Sequence, residues 1–240
     1  MATPYPDYRT YTTRDYGNRV GVFRIFRVLD ALGVKASAVM NSAVAERYPS
    51  LLAEVQRRGW EVTAHGRDMN AIHYGGMDEA AERAQIGDSL AAFKSAGAGP
   101  VGWFSPGRGE SENTLKLLAE AGVDYVGDWV NDDMPYRMET EAGSLISMPM
   151  TTELDDRQIF VTLGHREETY AEQVLDAYRL FDREAQSYGG RILQVMLTPY
   201  VIGQPFRIQA LREALAPIVS EKSVWVATGE EILRAWTAQQ

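Results

Sequence analysis

The sequence predicts an α/β fold in which about seven parallel strands form a (β/α) barrel. Short apolar runs rich in β-branched residues alternate with helical stretches along the chain, and this alternation is typical of a parallel sheet covered by helices. The number of predicted strands favours a barrel over an open doubly wound sheet. A chain of 240 residues with 45% hydrophobic content can bury one large core, and α/β barrels of this length form single domains.

The predicted elements follow one another without a linker or an internal repeat. Residues 1–17 are rich in Tyr, Thr, Pro and Arg and show no clear period, so we predict an irregular N-terminal arm. Residues 18–32 form a helix, because apolar residues recur three and four positions apart until Gly33 ends the pattern. The predicted strands are residues 34–40, 60–64, 101–104, 124–129, 145–148, 192–197 and 224–227. The other predicted helices are residues 49–58, 78–95, 111–121, 170–187, 205–220 and 230–237. A single barrel domain is therefore expected over residues 18–240.

Composition excludes several classes of function. The formal net charge of −9 offers no basic surface for a polyphosphate backbone, so nucleic acid is not expected as a partner. The chain has no cysteine, which excludes disulfides, thiolate nucleophiles and cysteine-based metal sites. No Gly-rich phosphate loop follows any predicted strand. Neither a signal peptide nor an apolar run long enough to cross a membrane is recognisable, and we expect a cytoplasmic protein.

Function in a parallel barrel gathers where strands pass into their following loops. Polar residues stand at most of these positions, namely Asn41, His65, Arg108, Asp128, Asn131, Asp132, Thr152, Glu153, Thr198, Tyr200 and Thr228. His65 follows directly on an apolar run, and Gly66 allows a sharp turn after it. A histidine in this place can act as base, acid or metal ligand. The other two histidines, His73 and His165, lie in Gly-rich and charged segments and are expected to be solvated.

Further residues near the predicted strand ends are candidates for proton transfer or substrate binding. Glu153 follows a strand that Pro149 ends, and its carboxylate can move protons if its pKa is raised; a solvated turn is the alternative. Arg108 lies in a Gly/Pro-shaped loop and can clamp a carbonyl, carboxylate or ureido group. The remaining candidates for contact with a small polar substrate are Trp103, Trp129, Asp132, Tyr136 and Tyr200, for which core or rim positions are the alternative.

Six segments in a fixed order carry a resemblance to a known family. They are RDYGNRVGVFR (residues 14–24), GWEVTAHG (59–66), GWF (102–104), NDDMPY (131–136), VIGQP (201–205) and VW (224–225). Their order and intervals resemble the polysaccharide-deacetylase superfamily, also called the NodB-homology or carbohydrate esterase family 4 group. Within it the sequence is most similar to the metal-independent, allantoinase-like branch. The resemblance covers nearly all of residues 15–236.

The resemblance implies a distorted (β/α) barrel that hydrolyses a non-peptide carbon–nitrogen bond in a linear or cyclic amide. Metal-dependent members use a His-x-x-x-His pair together with an aspartate. His65 matches the first histidine and Met69 replaces the second, as expected of the allantoinase-like branch. Residues 1–17 stand in place of the family's first strand, which ends in an acidic residue. Thr198 stands where the family usually shows a histidine.

Three hypotheses remain open from the sequence. The first is an amidohydrolase without a cofactor, in which His65 is the base or an electrostatic stabiliser, Glu153 assists proton transfer, and Arg108 orients an amide, imide or ureide. The second is a catalytically impaired barrel that binds a small ligand or a partner subunit without turnover. The third is a deacetylase with zinc or another divalent metal held by His65, Asp68 and Glu153 or Asp156.

The resemblance also bears on assembly. If the first barrel strand is absent, the neighbouring strands have open edges, and burial of such edges against another subunit prevents uncontrolled pairing. A homo-oligomer, either a dimer or a tetramer, is therefore expected.

Overall fold

The structure, a computed structural model, describes residues 7–239. The strands are β1 (Ser37–Met40), β2 (Glu61–Ala64), β3 (Gly102–Trp103), β4 (Tyr125–Val126), β5 (Tyr136–Thr140) and β6 (Gly143–Ser147). The α-helices are α1 (Tyr8–Tyr16), α2 (Val22–Leu32), α3 (Ser42–Arg47), α4 (Pro49–Arg57), α5 (Glu79–Ser95), α6 (Thr114–Glu120), α7 (Glu167–Tyr188), α8 (Ile208–Val219) and α9 (Gly229–Thr237).

The chain divides into two compact units. The first unit comprises Met1–Val34 and Thr151–Val226, and the second comprises Lys35–Met150 and Ala227–Gln240. The single-domain organisation expected from the sequence stays a prediction.

The second unit contains the sheet, whose strand order is β1-β2-β3-β4-β6-β5. Every neighbouring pair is parallel except β5 and β6, which form an antiparallel hairpin. The α/β class with a mostly parallel sheet is thereby confirmed. The sequence did not predict β5 because only Met138 in this strand is buried, so the strand has no apolar run.

Close contacts between strands depend on residues without side chains. A Cβ on Gly102 would lie 2.1 Å from the Tyr125 ring, and a Cβ on Gly127 would lie 2.0 Å from the Phe104 ring. The Tyr125 hydroxyl donates to the Glu61 carboxylate at 2.6 Å, and Glu61 also accepts the backbone N–H of Glu230 at 3.1 Å. These bonds attach the start of α9 to the amino-terminal side of the sheet. Thr228 and Glu231 cap the amino-terminal end of that helix with a reciprocal capping box.

The regular elements among the described residues of the first unit are helices. Helix α8 packs on both α2 and α7. α2 ends at Gly33, which has the left-handed conformation with φ of 67°, as the sequence predicts. A π-helical turn over Gly17–Gly21 joins α1 to α2, and a second one covers Gln158–Thr162.

Three expectations from the sequence differ from the structure. Residues 8–16 of the predicted irregular arm form α1, which begins at the Asp7 cap; residues 1–6 of that arm lie outside the described residues. α1 has no buried residue, so its sequence lacks an apolar period. The two predicted strands at residues 192–197 and 224–227 have no strand pairing in the described structure. Their apolar side chains are mostly half-buried, and apolar composition alone does not impose strand pairing.

Among residues 7–239, no helix is long and apolar enough to span a membrane.

Candidate active site

The carboxyl ends of three adjacent strands meet in the second unit. β2 leads into His65, β3 leads into Phe104 and Ser105, and Asp128 lies two residues after β4. Because β2, β3 and β4 are parallel neighbours, these residues share one edge of the sheet, which is where parallel sheets carry their functional groups.

His65 is half-buried and fixed on both its side chain and its backbone. Its Nδ1 lies 2.7 Å from the carbonyl oxygen of Phe104, and the amide of Asn41 donates to the His65 carbonyl. A carbonyl oxygen only accepts hydrogen bonds, so Nδ1 carries the proton in neutral His65 and Nε2 is the basic nitrogen. Burial lowers the pKa of His65 from its usual value, and the bond to Phe104 opposes this shift. The imidazole is therefore largely neutral at neutral pH.

The turn after His65 depends on Gly66. Its φ of 61° lies in the left-handed region, and a Cβ would come within 2.6 Å of the Pro106 side chain. A side chain at this position would strain the backbone and push the loops that follow β2 and β3 apart.

Asp128 is a buried carboxyl that lies next to Ser105 and Glu110. Its Oδ1 accepts the backbone N–H of Ser105 at 2.7 Å. Its Oδ2 is buried and makes no hydrogen bond of ordinary geometry in the described part of the chain, but the Glu110 carboxyl lies within hydrogen-bonding range of Asp128. Burial raises the pKa of Asp128 to about 7; the Ser105 bonds oppose the shift and the nearby Glu110 adds to it.

Glu110 is the second acid of this cluster. The indole N–H of Trp129 donates to both of its carboxylate oxygens, at 3.1 and 3.0 Å. Burial raises the pKa of Glu110, whereas the hydrogen bond from Trp129 opposes the shift. Two carboxyls so close together do not ionise independently, because the first charge disfavours the second.

A buried hydrogen-bond network behind Glu110 joins two loops to α5. Glu82 of α5 lies 2.7 Å from His73 Nδ1 and accepts the Thr114 hydroxyl at 2.5 Å. The Ser111 hydroxyl donates to the other carboxylate oxygen. His73 was expected to be solvated and is only 2% exposed, which corrects that prediction. The Gly-rich loop that contains His73 folds over α5 and buries the imidazole against Glu82. The local sequence does not indicate this burial. His165 is exposed, as expected.

The predicted substrate-binding residues of the second unit differ in exposure. Trp103 is 0% exposed and donates to the Ser105 hydroxyl at 3.0 Å, so it supports the site from the core and offers no surface to a ligand. Trp129 is 38% exposed. Arg108 is exposed at the end of the turn Pro106–Arg108, with φ of 56°. Asp132 is exposed and accepts the backbone N–H of Met134.

Glu153 and Tyr200 belong to the first unit. Glu153 is exposed, and one of its oxygens accepts the Thr151 hydroxyl at 3.3 Å. Tyr200 is half-buried with the Arg14 guanidinium 5.8 Å from its ring centroid. The structure thus places the two predicted catalytic residues, His65 and Glu153, in different units.

Asp156 is a structural acid of the first unit. Its Oδ2 accepts the backbone N–H groups of Thr198 and Ile202 at 2.9 and 3.1 Å, which holds the turn between them. Burial raises its pKa to about 8; the Thr198 bonds oppose the shift and Asp155 adds to it.

The donor atoms do not fit a divalent metal. Met69, which is 41% exposed, stands four residues after His65, where a His-x-x-x-His metal site needs its second histidine. The nearby carboxylate of Asp68 accepts the N–H of Asn70 at 2.7 Å. Within residues 7–239 no three His, Asp or Glu side chains are grouped as metal ligands, whereas a catalytic zinc needs three protein ligands. We assign no catalytic step to a metal.

The sequence pointed to His65 and Asp128 as strand-end residues, but it did not indicate Glu110, His73 or Glu82. Glu82 lies on a helix with many charged residues, and only its burial distinguishes it from them. Glu110 lies in a polar loop between β3 and α6 and has no distinctive spacing.

Comparison with known proteins gives matches over most of the chain. A model of the polysaccharide deacetylase family matches residues 3–126. A Schizosaccharomyces pombe protein, named as a member of the polysaccharide deacetylases, is 27% identical over 245 residues, covering 94% of this chain and 75% of its own. The crystal structure of the PuuE allantoinase superposes with a TM-score of 0.89 at 26% identity, covering 98% of this chain and 78% of that one. A Pseudomonas aeruginosa PAO1 structure, also named for polysaccharide deacetylase, has a TM-score of 0.87 at 28% identity, with 95% and 76% covered.

Proposed function

Because this chain belongs to the polysaccharide deacetylase family, we propose that it hydrolyses a non-peptide carbon–nitrogen bond in a small polar amide, imide or ureide. The family and its structural relatives make it a hydrolase. The similarity to an allantoinase over nearly the full chain supports a small substrate with a cyclic or linear ureide or amide group. The net charge of −9 is consistent with a neutral or cationic substrate rather than a polyanion.

The observation that carries the proposal is the state of His65. Its Nδ1 donates to a backbone carbonyl, which fixes the ring and makes Nε2 the basic nitrogen. In the proposed reaction Nε2 takes a proton from a water molecule as the oxygen attacks the substrate carbonyl carbon. The imidazolium then protonates the leaving nitrogen as the carbon–nitrogen bond breaks. The products are a carboxylic acid and an amine or its ring-opened equivalent, and His65 returns to its neutral form.

Other residues are proposed for orientation and assistance. Arg108 is exposed beside the strand-end cluster and can donate two parallel hydrogen bonds to a carbonyl or ureido group. Trp129 has exposed ring surface for a planar substrate, and Asp132 has an exposed carboxylate. In the first unit, Glu153 is the proposed assistant in proton transfer and Tyr200 a proposed substrate contact.

The test compares wild type with His65→Ala on hydantoins, cyclic imides, allantoin and linear ureides, after treatment with a chelator. Loss of a positioned base costs about 10²- to 10⁴-fold in rate. His165→Ala, which removes an exposed histidine, is the matched control and is expected to retain full activity. Equal rates for wild type and His65→Ala would refute the assigned role.

The proposed reaction uses no cofactor. Elemental analysis of untreated protein tests this point directly, and activity is expected to survive removal of divalent ions. Stoichiometric zinc, cobalt or manganese together with loss of activity on chelation would contradict the proposal.

We also propose a cytoplasmic location and a dimer or tetramer, with no nucleic-acid or membrane partner. The chain has no cysteine, so its fold requires no disulfide and no oxidising compartment. β1 is at an end of the sheet in the second unit, and the strand at such an end can pair with another chain. Sedimentation velocity at micromolar concentration is expected to show the oligomer, and a monomer would contradict it.

A further inference from the structure

One peptide group connects His65 with Asp128. The carbonyl oxygen of Phe104 accepts from His65 Nδ1 at 2.7 Å. The N–H of Ser105 donates to Asp128 Oδ1, also at 2.7 Å. The carbonyl of residue 104 and the N–H of residue 105 belong to the same planar peptide unit. The hydrogen-bond chain therefore runs from the imidazole through a single peptide to the carboxyl.

This hydrogen-bond chain lets the charge of the carboxyl group polarise the peptide and thereby affect the imidazole. A carboxylate that accepts an N–H bond polarises that peptide group, so the carbonyl oxygen on its other side becomes a stronger acceptor. A stronger acceptor at Nδ1 stabilises positive charge on the imidazole and raises the proton affinity of Nε2. The peptide group is rigid and buried, since Phe104 and Ser105 are both almost fully covered. The effect therefore requires no movement.

We propose that Asp128 is a positioning residue that tunes the basicity of His65 through the Phe104–Ser105 peptide group. The inference rests on the proposed function, in which His65 is the base. It adds a second residue that acts without contact to the substrate, because Asp128 is only 8% exposed.

The charge of Asp128 depends on a small set of neighbours. Glu110, from the loop before α6, is the acid that faces it and favours its protonated form. The hydroxyl and the backbone N–H of Ser105 favour its ionised form. Behind Glu110 lie Glu82 of α5 and His73 of the loop after β2. Glu82 raises the pKa of Glu110 and His73 lowers it.

These neighbours determine the sign of the pH effect. The pKa of Asp128 is raised to about 7, and that of His65 is lowered. As pH rises, His65 first loses its proton and Asp128 then ionises near neutrality. The activity should therefore rise in two steps, the first from formation of neutral His65 and the second from its increased basicity.

The decisive variant is Asp128→Asn, which keeps an oxygen to accept the Ser105 N–H but carries no charge. We expect it to keep the lower step of the pH profile of kcat/KM and to lose the upper one. The loss in kcat/KM should be about tenfold near pH 8 and small near pH 6, by analogy with the roughly 10- to 100-fold effect of the hydrogen-bond partners of metal-bound histidines. A purely structural role predicts the same fractional change at every pH.

Glu110→Gln provides an independent variant. It removes the charge that adds to the burial-raised pKa of Asp128, so the upper step should move to lower pH while remaining present. This variant also keeps the proposal testable if Asp128→Asn does not fold. An upper step that stays at its wild-type pH in Glu110→Gln would contradict the role of the pair.

Nitrogen NMR of protein labelled in its histidine side chains supplies a measurement that does not depend on activity. The His65 signals, identified by their loss in His65→Ala, are expected to show a protonated Nδ1 and a second titration near neutrality that disappears in Asp128→Asn. Unchanged His65 signals in that variant overturn the inference even if His65 proves to be the base. Normal activity in His65→Ala would instead refute the proposed function, while the NMR result still decides the coupling.

Discussion

Replacement of Glu82 by alanine is the change from which we expect the largest loss of stability. Glu82 is 0% exposed and binds His73, Thr114 and Ser111. The alanine variant leaves these donors without an acceptor in the core. Removal of one partner of a buried charged network costs about 3–5 kcal/mol, which is large against a total stability of about 5–15 kcal/mol. For a chain of this size each kcal/mol corresponds to about 2–4 °C, so the melting temperature should fall by roughly 10 °C.

The assay is urea and thermal denaturation at neutral pH with two comparison variants. Glu82→Gln keeps one acceptor oxygen, and the hydroxyls of Ser111 and Thr114 can rotate toward it, so less than half of the loss is expected. Glu79→Ala removes an acid of the same helix that is half-exposed and paired with Arg83 and Lys116; its effect should be much smaller. Activity should fall with stability in Glu82→Ala, because Glu82 attaches the loops after β2 and β3 to α5. A melting temperature within about 2 °C of wild type would refute this reasoning.

Two further predictions concern packing and pH. Gly102→Ala should cost about 1–3 kcal/mol, because its Cβ would lie 2.1 Å from the Tyr125 ring. Gly87→Ala in α5 should stabilise by about 0.5–1 kcal/mol, because its added Cβ would meet nothing within 4 Å beyond the neighbouring backbone of its own helix. Chemical denaturation of the two variants checks the contrast. For Asp156, the folded-state pKa is raised to about 8, so the unfolded state ionises first and wild-type stability declines as pH rises from the usual aspartate range toward 8. Asp156→Asn should remove this decline, which is at most about 1.4 kcal/mol per pH unit; parallel stability curves for wild type and variant across that range would contradict the assignment.

The sequence predicted most regular elements correctly because helical and strand periods are local properties. The predicted helices at residues 49–58 and 78–95 correspond to α4 and α5 within a residue at each end. Elements with few buried residues were missed: α1 buries none, and β5 buries only Met138. The opposite error occurred at residues 192–197, where an apolar run is only half-buried and forms no strand in the described structure.

The sequence by itself determined the α/β class, the family and the place of His65 at the end of a strand. These follow from apolar patterning and from motifs that are contiguous in the chain. Only the tertiary structure decided what surrounds His65, because its partners come from other elements. The Phe104 carbonyl is 39 positions from His65, and Asp128 is 23 positions from Ser105. Hydrogen bonds across such distances leave no period in the sequence, and burial, which shifts the pKa of Asp128 and of His65, exists only once the strands lie side by side.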